Sequence, residues 1–162
     1  MKTELKSALV CSLAVLFLLA ACTNKEEPNG PEALELLNSQ IEQIEGLYPA
    51  SQSTPSGLHY VVQEEGTGEF PQSGQVVTAH YHGTFIDGSV FDSSIDRGHP
   101  ISFPVGVGRV IKGWDEAFLG MKKGEKRTLI IPSALAYGPR GSPPAIPRNA
   151  ILVFEVELVD FK

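Results

Sequence analysis

Thiols are almost absent from this chain. Its 162 residues include two cysteines, Cys11 and Cys22, and both fall within the first 22 positions. Beyond them no cysteine nucleophile, disulfide or thiolate metal site can be built. Basic residues are also scarce. The chain carries 13 Lys and Arg against 19 Asp and Glu, a net charge of −6, with no basic cluster. Such a surface repels phosphates, so no nucleic-acid partner is expected. Long apolar runs are missing as well. Ala8 to Ala21 would rise only about 21 Å as a helix, short of a membrane core of roughly 30 Å.

The familiar catalytic signatures are incomplete. Gly106-Val107-Gly108 begins like a dinucleotide fingerprint, but Ile111 occupies the third glycine position. Gly108 and Gly113 have the spacing of a phosphate-binding loop, yet Trp114 stands where lysine is required. No G-x-S-x-G occurs. His80 and His82 share one strand face and could hold a metal as a pair, but no third ligand is evident, so solvated surface histidines are expected. Asp115 and Glu116 read as a solvated helix face.

What is present starts with an address label. Lys2 and Lys6 make a basic start, Ala8 to Ala21 an apolar stretch of signal-peptide length, and Leu19 to Cys22 reads LAAC. That ending resembles the lipobox of bacterial lipoproteins. It implies residues 1–21 as a signal peptide and Cys22 as the lipidated first residue of the mature protein. The leader carries Lys2, Lys6 and Glu4, a net +1, so the mature chain is near −7. Several acyl chains on one residue would anchor it stably, where a single chain is marginal. Thr23 follows Cys22, with no aspartate to signal inner-membrane retention, so an outer-membrane anchor facing the periplasm is expected.

Residues 22–57 read as a tether with a short helix. Pro31 and Glu32 suit a helix start, and Gly46 suits its stop. Leu34, Leu37, Ile41, Ile44 and Tyr48 are spaced 3-4-3-4, an apolar stripe. Two heptads fall short of the three or four that identify a coiled coil, so an amphipathic helix, loosely docked or weakly paired, is expected over Pro31 to Glu45. Pro49 to Gly57 reads as a Ser/Pro-rich linker.

Residues 58–162 read as the folded domain, in a chain 42% hydrophobic and 20% charged. Strands are predicted at Leu58–Gln63, Gln75–Phe85, Ile101–Val105, Glu125–Ile131 and Ile151–Phe161. Val77, Ala79 and Tyr81 share one face, as do Leu152, Phe154, Val156 and Leu158. Lys112 to Leu119 is predicted as a two-turn helix closed by Gly120. Strands joined by tight turns with one short helix imply an α+β fold, an antiparallel sheet folded against that helix.

A scatter of apolar residues lies beside the turns: Tyr81, Phe91, Phe103, Val110, Ile111, Trp114, Tyr137, Ile146 and Phe154. They could be core packing or the lining of a pocket. Around them run HYHG (80–83), DGSVFDSS (87–94), VIKGWDEAF (110–118), GMKKGEK (120–126), IPSALAYG (131–138) and IPRNAILVFEVEL (146–158). In order and spacing this set resembles the FKBP-type peptidyl-prolyl isomerases over residues 56–162.

The resemblance implies a five- to six-stranded antiparallel sheet wrapped around the helix. It implies a pocket with Trp114 as floor, flanked by Tyr81, Phe91, Phe103, Val110, Ile111 and Phe154. Tyr137 and Ile146 would come from the loop before the last strand. Asp92 would sit at the rim, paired with Arg97, while the Ile111 N–H and the Tyr137 hydroxyl would bind substrate carbonyls. Proline-containing polypeptides are the implied substrates, with macrolide immunosuppressants as inhibitors. No cofactor or metal is implied, and a monomer is favoured because dimeric surface relatives have much longer N-terminal helices.

Physical chemistry agrees with that reading. Amide resonance sets a barrier of about 18–20 kcal/mol to rotation before proline, which takes tens to hundreds of seconds unaided. The twisted transition state loses resonance and is less polar at the C–N bond, so a dry apolar pocket favours it. A thousandfold acceleration requires about 4 kcal/mol of differential stabilisation. Two departures stand at the rim: Ile101 where many members carry phenylalanine, and Ser142 where several carry histidine. They motivate an alternative, a proline-segment binding module or chaperone with little catalytic activity.

Overall fold

Period-two burial decides the architecture. In the computed structural model, which describes residues 30–162, strand β3 (Val76–Phe85) alternates inward and outward along most of its length. Its buried face carries Val77, Ala79 and Tyr81. The leader, Cys22 and the tether to position 29 lie outside the described residues. Before β3 come helix α1 (Pro31–Leu47), β1 (Gln52–Ser53) and β2 (His59–Glu64). After it follow β4 (Val90–Ser93), β5 (Ile101–Pro104), α2 (Lys112–Leu119), β6 (Lys126–Ile131) and β7 (Leu152–Phe161).

All pairings are antiparallel, in the order β1-β2-β6-β7-β3-β4, with β5 also on β3. β3 is thus flanked on one side by β7 and on the other by β5 along its first half and β4 along its second. The sheet curls around α2, whose Trp114, Ala117 and Phe118 are buried against Val77, Leu129, Leu152, Phe154 and Val156. Fully burying Phe118 alone is worth about 1.5–3 kcal/mol.

The predicted α+β class holds, and the predicted strands and α2 lie within a residue of their observed bounds. The sheet has seven strands because β1 and β4 add to the five foreseen. Both are short and lack a run of alternation long enough to mark them. β4 pairs His82 with Ser93 and Gly83 with Asp92 across a bulge.

Three readings near the N-terminus are corrected. Residues 49–57 are not a free linker: Gln52 and Ser53 pair with Tyr60 and His59, and Ser56 Oγ donates to Glu116 at 2.7 Å. Gly46 does not stop α1, which continues to Leu47 with the Tyr48 N–H on the Ile44 carbonyl at 2.7 Å. A glycine costs about 1 kcal/mol inside a helix, and packing of Ile44 and Tyr48 offsets it. Nor is α1 loose. Ile44 is fully buried with Ile130, Ile151 and Val153, while Leu34 is left exposed.

Candidate active site

Trp114 sits on the first turn of α2 and is 5% exposed. The inward faces of β3 and β7 bring Tyr81 and Phe154 over it, each with its ring centroid 5.1 Å from the indole. β4 supplies Phe91, edge-on to Phe154 at 5.4 Å. Phe103 of β5 packs 5.6 Å from Trp114 and 5.4 Å from the buried Phe118, so it backs the indole on the core side. Edge-to-face pairs such as these contribute about 0.5–1.5 kcal/mol each beyond the area they bury. Trp114 Nε1 is buried and finds no acceptor among the described residues.

Gly83 makes the rim possible. A Cβ there would lie 2.8 Å from Phe91 Cζ and 3.0 Å from Phe154 Cε1, so any side chain would wedge the two rings apart. Phe85, which the sequence reading passed over, packs 5.0 Å from Phe91 and supports it from outside. It follows Gly83 by two along β3, a spacing that could have flagged it.

At the rim, the Tyr81 hydroxyl donates to Asp92, Arg97 donates to Asp92, and Arg97 also reaches the Tyr81 oxygen at 2.6 Å. The guanidinium carbon stands 5.4 Å from the Tyr81 ring centre. Burial works to raise the Asp92 carboxyl, but the hydrogen bonds from Tyr81 and Arg97 and the charge of Arg97 outweigh it and hold the group below the usual carboxylate range. Burial, followed by the bond to Asp92, pushes the Tyr81 phenol up against the opposing pull of Arg97. The triad therefore stays as phenol, carboxylate and guanidinium at neutral pH.

A second group comes from loops. Val110, Ile111 and Tyr137, with Gly108, Arg109, Lys112 and Ala136, line an open hollow of about 480 Å³. Tyr137 is 43% exposed there. Ile111 immediately precedes α2, so its N–H lies outside the helix's own hydrogen-bond ladder. Val110 and Ile111 also pack on the cluster that holds Trp114 and Phe154, which joins hollow to cup. Ile146 is buried against that cluster, its backbone paired in both directions with Ser142 at 2.9 Å.

The solvated-face reading of Asp115 and Glu116 is corrected. Asp115 accepts from the backbone N–H of Gly106 at 2.8 Å and of Gly108 at 2.7 Å, bracing the loop that leads to Val110. Glu116 accepts from Ser56. His80 Nδ1 lies 3.1 Å from Ser94 Oγ.

A family model described as FKBP-type peptidyl-prolyl cis-trans isomerase matches residues 67–159. The chain is 50% identical over 106 residues to FK506-binding protein 1 of Dictyostelium discoideum, covering 65% of this chain and 99% of that protein. It is 61% identical over 90 residues to peptidyl-prolyl cis-trans isomerase FPR2 of Saccharomyces cerevisiae, covering 55% of this chain and 67% of that one. Among solved structures, FkpA from Escherichia coli matches with TM-score 0.71 and 42% identity, over 81% of this chain and 61% of FkpA. The aromatic enclosure of Trp114 and these matches lead to one conclusion: the chain belongs to the FKBP-type peptidyl-prolyl cis-trans isomerase family.

Proposed function

We propose that this isomerase seats the proline of an X-Pro segment over Trp114, between Tyr81, Phe91 and Phe154, and turns the preceding bond without covalent contact. The observation that carries this is the aromatic enclosure, with two rings 5.1 Å from the buried indole. In such a dry cup the planar amide loses solvation that the less polar twisted form needs less. The Ile111 N–H and the Tyr137 hydroxyl hold the flanking carbonyls, so the chain on either side is fixed while the bond turns. Val110 and Ile146 complete the apolar lining, and Phe103 supports the indole from behind. Asp92, tied to Tyr81 and Arg97, keeps the Tyr81 ring against the cup wall.

The substrates are proline-containing segments of exported proteins, and macrolides of the FK506 kind compete for the same cup. The chain is built as a signal peptide (1–21), a lipidated tether that begins at Cys22 and leads into α1 and β1, and the isomerase domain (58–162) on which both pack. Cys22 bears the lipid, on the outer membrane facing the periplasm, and the protein acts as a monomer. The basic start, the apolar run and LAAC support the anchor. Labelling with palmitate that persists in Cys22→Ser would exclude it.

Protease-coupled turnover of an Ala-X-Pro-Phe peptide tests the mechanism. The expected result is acceleration that Phe91→Ala lowers in a protein that still folds, though less stably, and that a macrolide abolishes. Tight peptide binding with no gain in rate would instead leave a binding module.

A further inference from the structure

From the seating of α1 we infer that Gln40 is a positioning residue of the isomerase, holding the loop that carries Tyr137 and Ile146 by both of its stems. The inference rests on the role given above to Tyr137. Gln40 lies on the docked face of α1, one turn before the buried Ile44, and is 6% exposed. Its side-chain carbonyl accepts from the Ser133 N–H at 2.9 Å and the Ser133 hydroxyl at 3.0 Å. Its Nε2 donates to the Asn149 carbonyl at 2.7 Å. Ser133 stands just after β6, at the entry of the loop, and Asn149 stands just before β7, at its exit.

The chemistry of the pair requires an amide. One stem presents a donor and the other an acceptor, and a primary amide answers both at once. A carboxylate would lack the donor and an ammonium the acceptor. Asn149 also adopts a left-handed backbone, φ 57°, and its N–H donates to the Gly138 carbonyl at 3.0 Å. The exit stem is thereby drawn against the residue that follows Tyr137. Residues 137–149 otherwise bond to one another, as in Ser142 with Ile146 and Arg148 Nε with the Pro139 carbonyl at 2.7 Å. Among the described residues, Gln40 supplies their only hydrogen bond from outside the loop. The loop's hydrogen bonds are otherwise internal, so its placement over the hollow is set by Gln40 at its stems together with the burial of Ile146.

The hydrogen bonds of the Gln40 side chain go to Ser133 and Asn149, so its effect on turnover runs through the loop. A displacement of about 1 Å caused far from the chemistry can cost on the order of 100-fold in rate. The test uses the full chain with Gln40→Met, which removes both hydrogen-bonding functions at similar volume, beside Tyr137→Phe. Amide hydrogen exchange and peptide-isomerisation kinetics are measured on each.

In Gln40→Met, exchange over residues 138–149 is expected to rise about tenfold while β3 and β7 amides keep their protection. kcat/KM is expected to fall about three- to tenfold, with the loss in kcat rather than KM. Unchanged exchange in the loop, or exchange that rises equally throughout the sheet, overturns the inference, the latter by making Gln40 a stability residue only. Wild-type kinetics in Gln40→Met beside an impaired Tyr137→Phe also overturns it, while wild-type kinetics in Tyr137→Phe counts against the site reading itself.

Discussion

The cup and the loop wall that face one substrate are built by opposite means. Trp114, Tyr81, Phe91 and Phe154 stand on a helix and three strands, so backbone ladders and mutual ring contacts hold them. Tyr137 stands on a segment with little regular structure, half exposed, tied at its stems by the Gln40 side chain and held by the burial of Ile146. The difference teaches where each property resides. Side chains of the cup contribute to folding and to catalysis together, whereas the wall can lose function while the fold stays intact.

Trp114→Ala should give the largest effect. Removing the indole takes away its contacts with Tyr81, Phe103, Phe118 and Phe154, at a cost of about 3–5 kcal/mol, with turnover lost. Urea unfolding beside the peptide assay checks both halves. Gly83→Ala comes next, because its Cβ meets Phe91 and Phe154. It should destabilise by about 1–3 kcal/mol and lower kcat/KM by displacing Phe91. If either variant lost activity at wild-type stability, the two sides of the site would not differ as described.

Tyr137→Phe sharpens the contrast from the other side. Turnover should fall about two- to tenfold, the worth of one hydrogen bond, with the urea midpoint unchanged. The smallest effect belongs to Asp92→Asn, since Arg97 and Asp92 are 38% and 44% exposed and water screens the pair. Its sign is set by a folded carboxyl held below the unfolded value of about 3.9. The wild-type advantage in stability should be complete above that value and vanish as pH falls through the lower folded one. Urea unfolding of both proteins from neutral pH to pH 2.5 measures it, and an advantage that grows on acidification would contradict the triad.

Part of the cup is legible in the sequence. Alternation along β3 and β7 put Tyr81 and Phe154 on buried faces, and the motif around Trp114 set it at the start of α2. Gly46, Asp115 and residues 49–57 misled for a common reason. Local propensity makes a glycine a helix stop, an acidic helix residue a solvated one and a Ser/Pro stretch a linker, and tertiary partners overrode all three. Tyr48 and Ile44, the N–H groups of Gly106 and Gly108, and strand β2 are those partners.

Periodicity determined five of the seven strands, α2 and the inward faces of Tyr81 and Phe154, because faces of strands and helices repeat at fixed short intervals. The gathering of Phe91, Phe103 and Trp114 with them was implied by the family resemblance. Tertiary structure alone decided that α1 docks and that Gln40 bridges Ser133 and Asn149, partners 93 and 109 positions away. A hydrogen bond needs its two groups within about 3 Å, and no local pattern announces which distant stems the fold will bring that close.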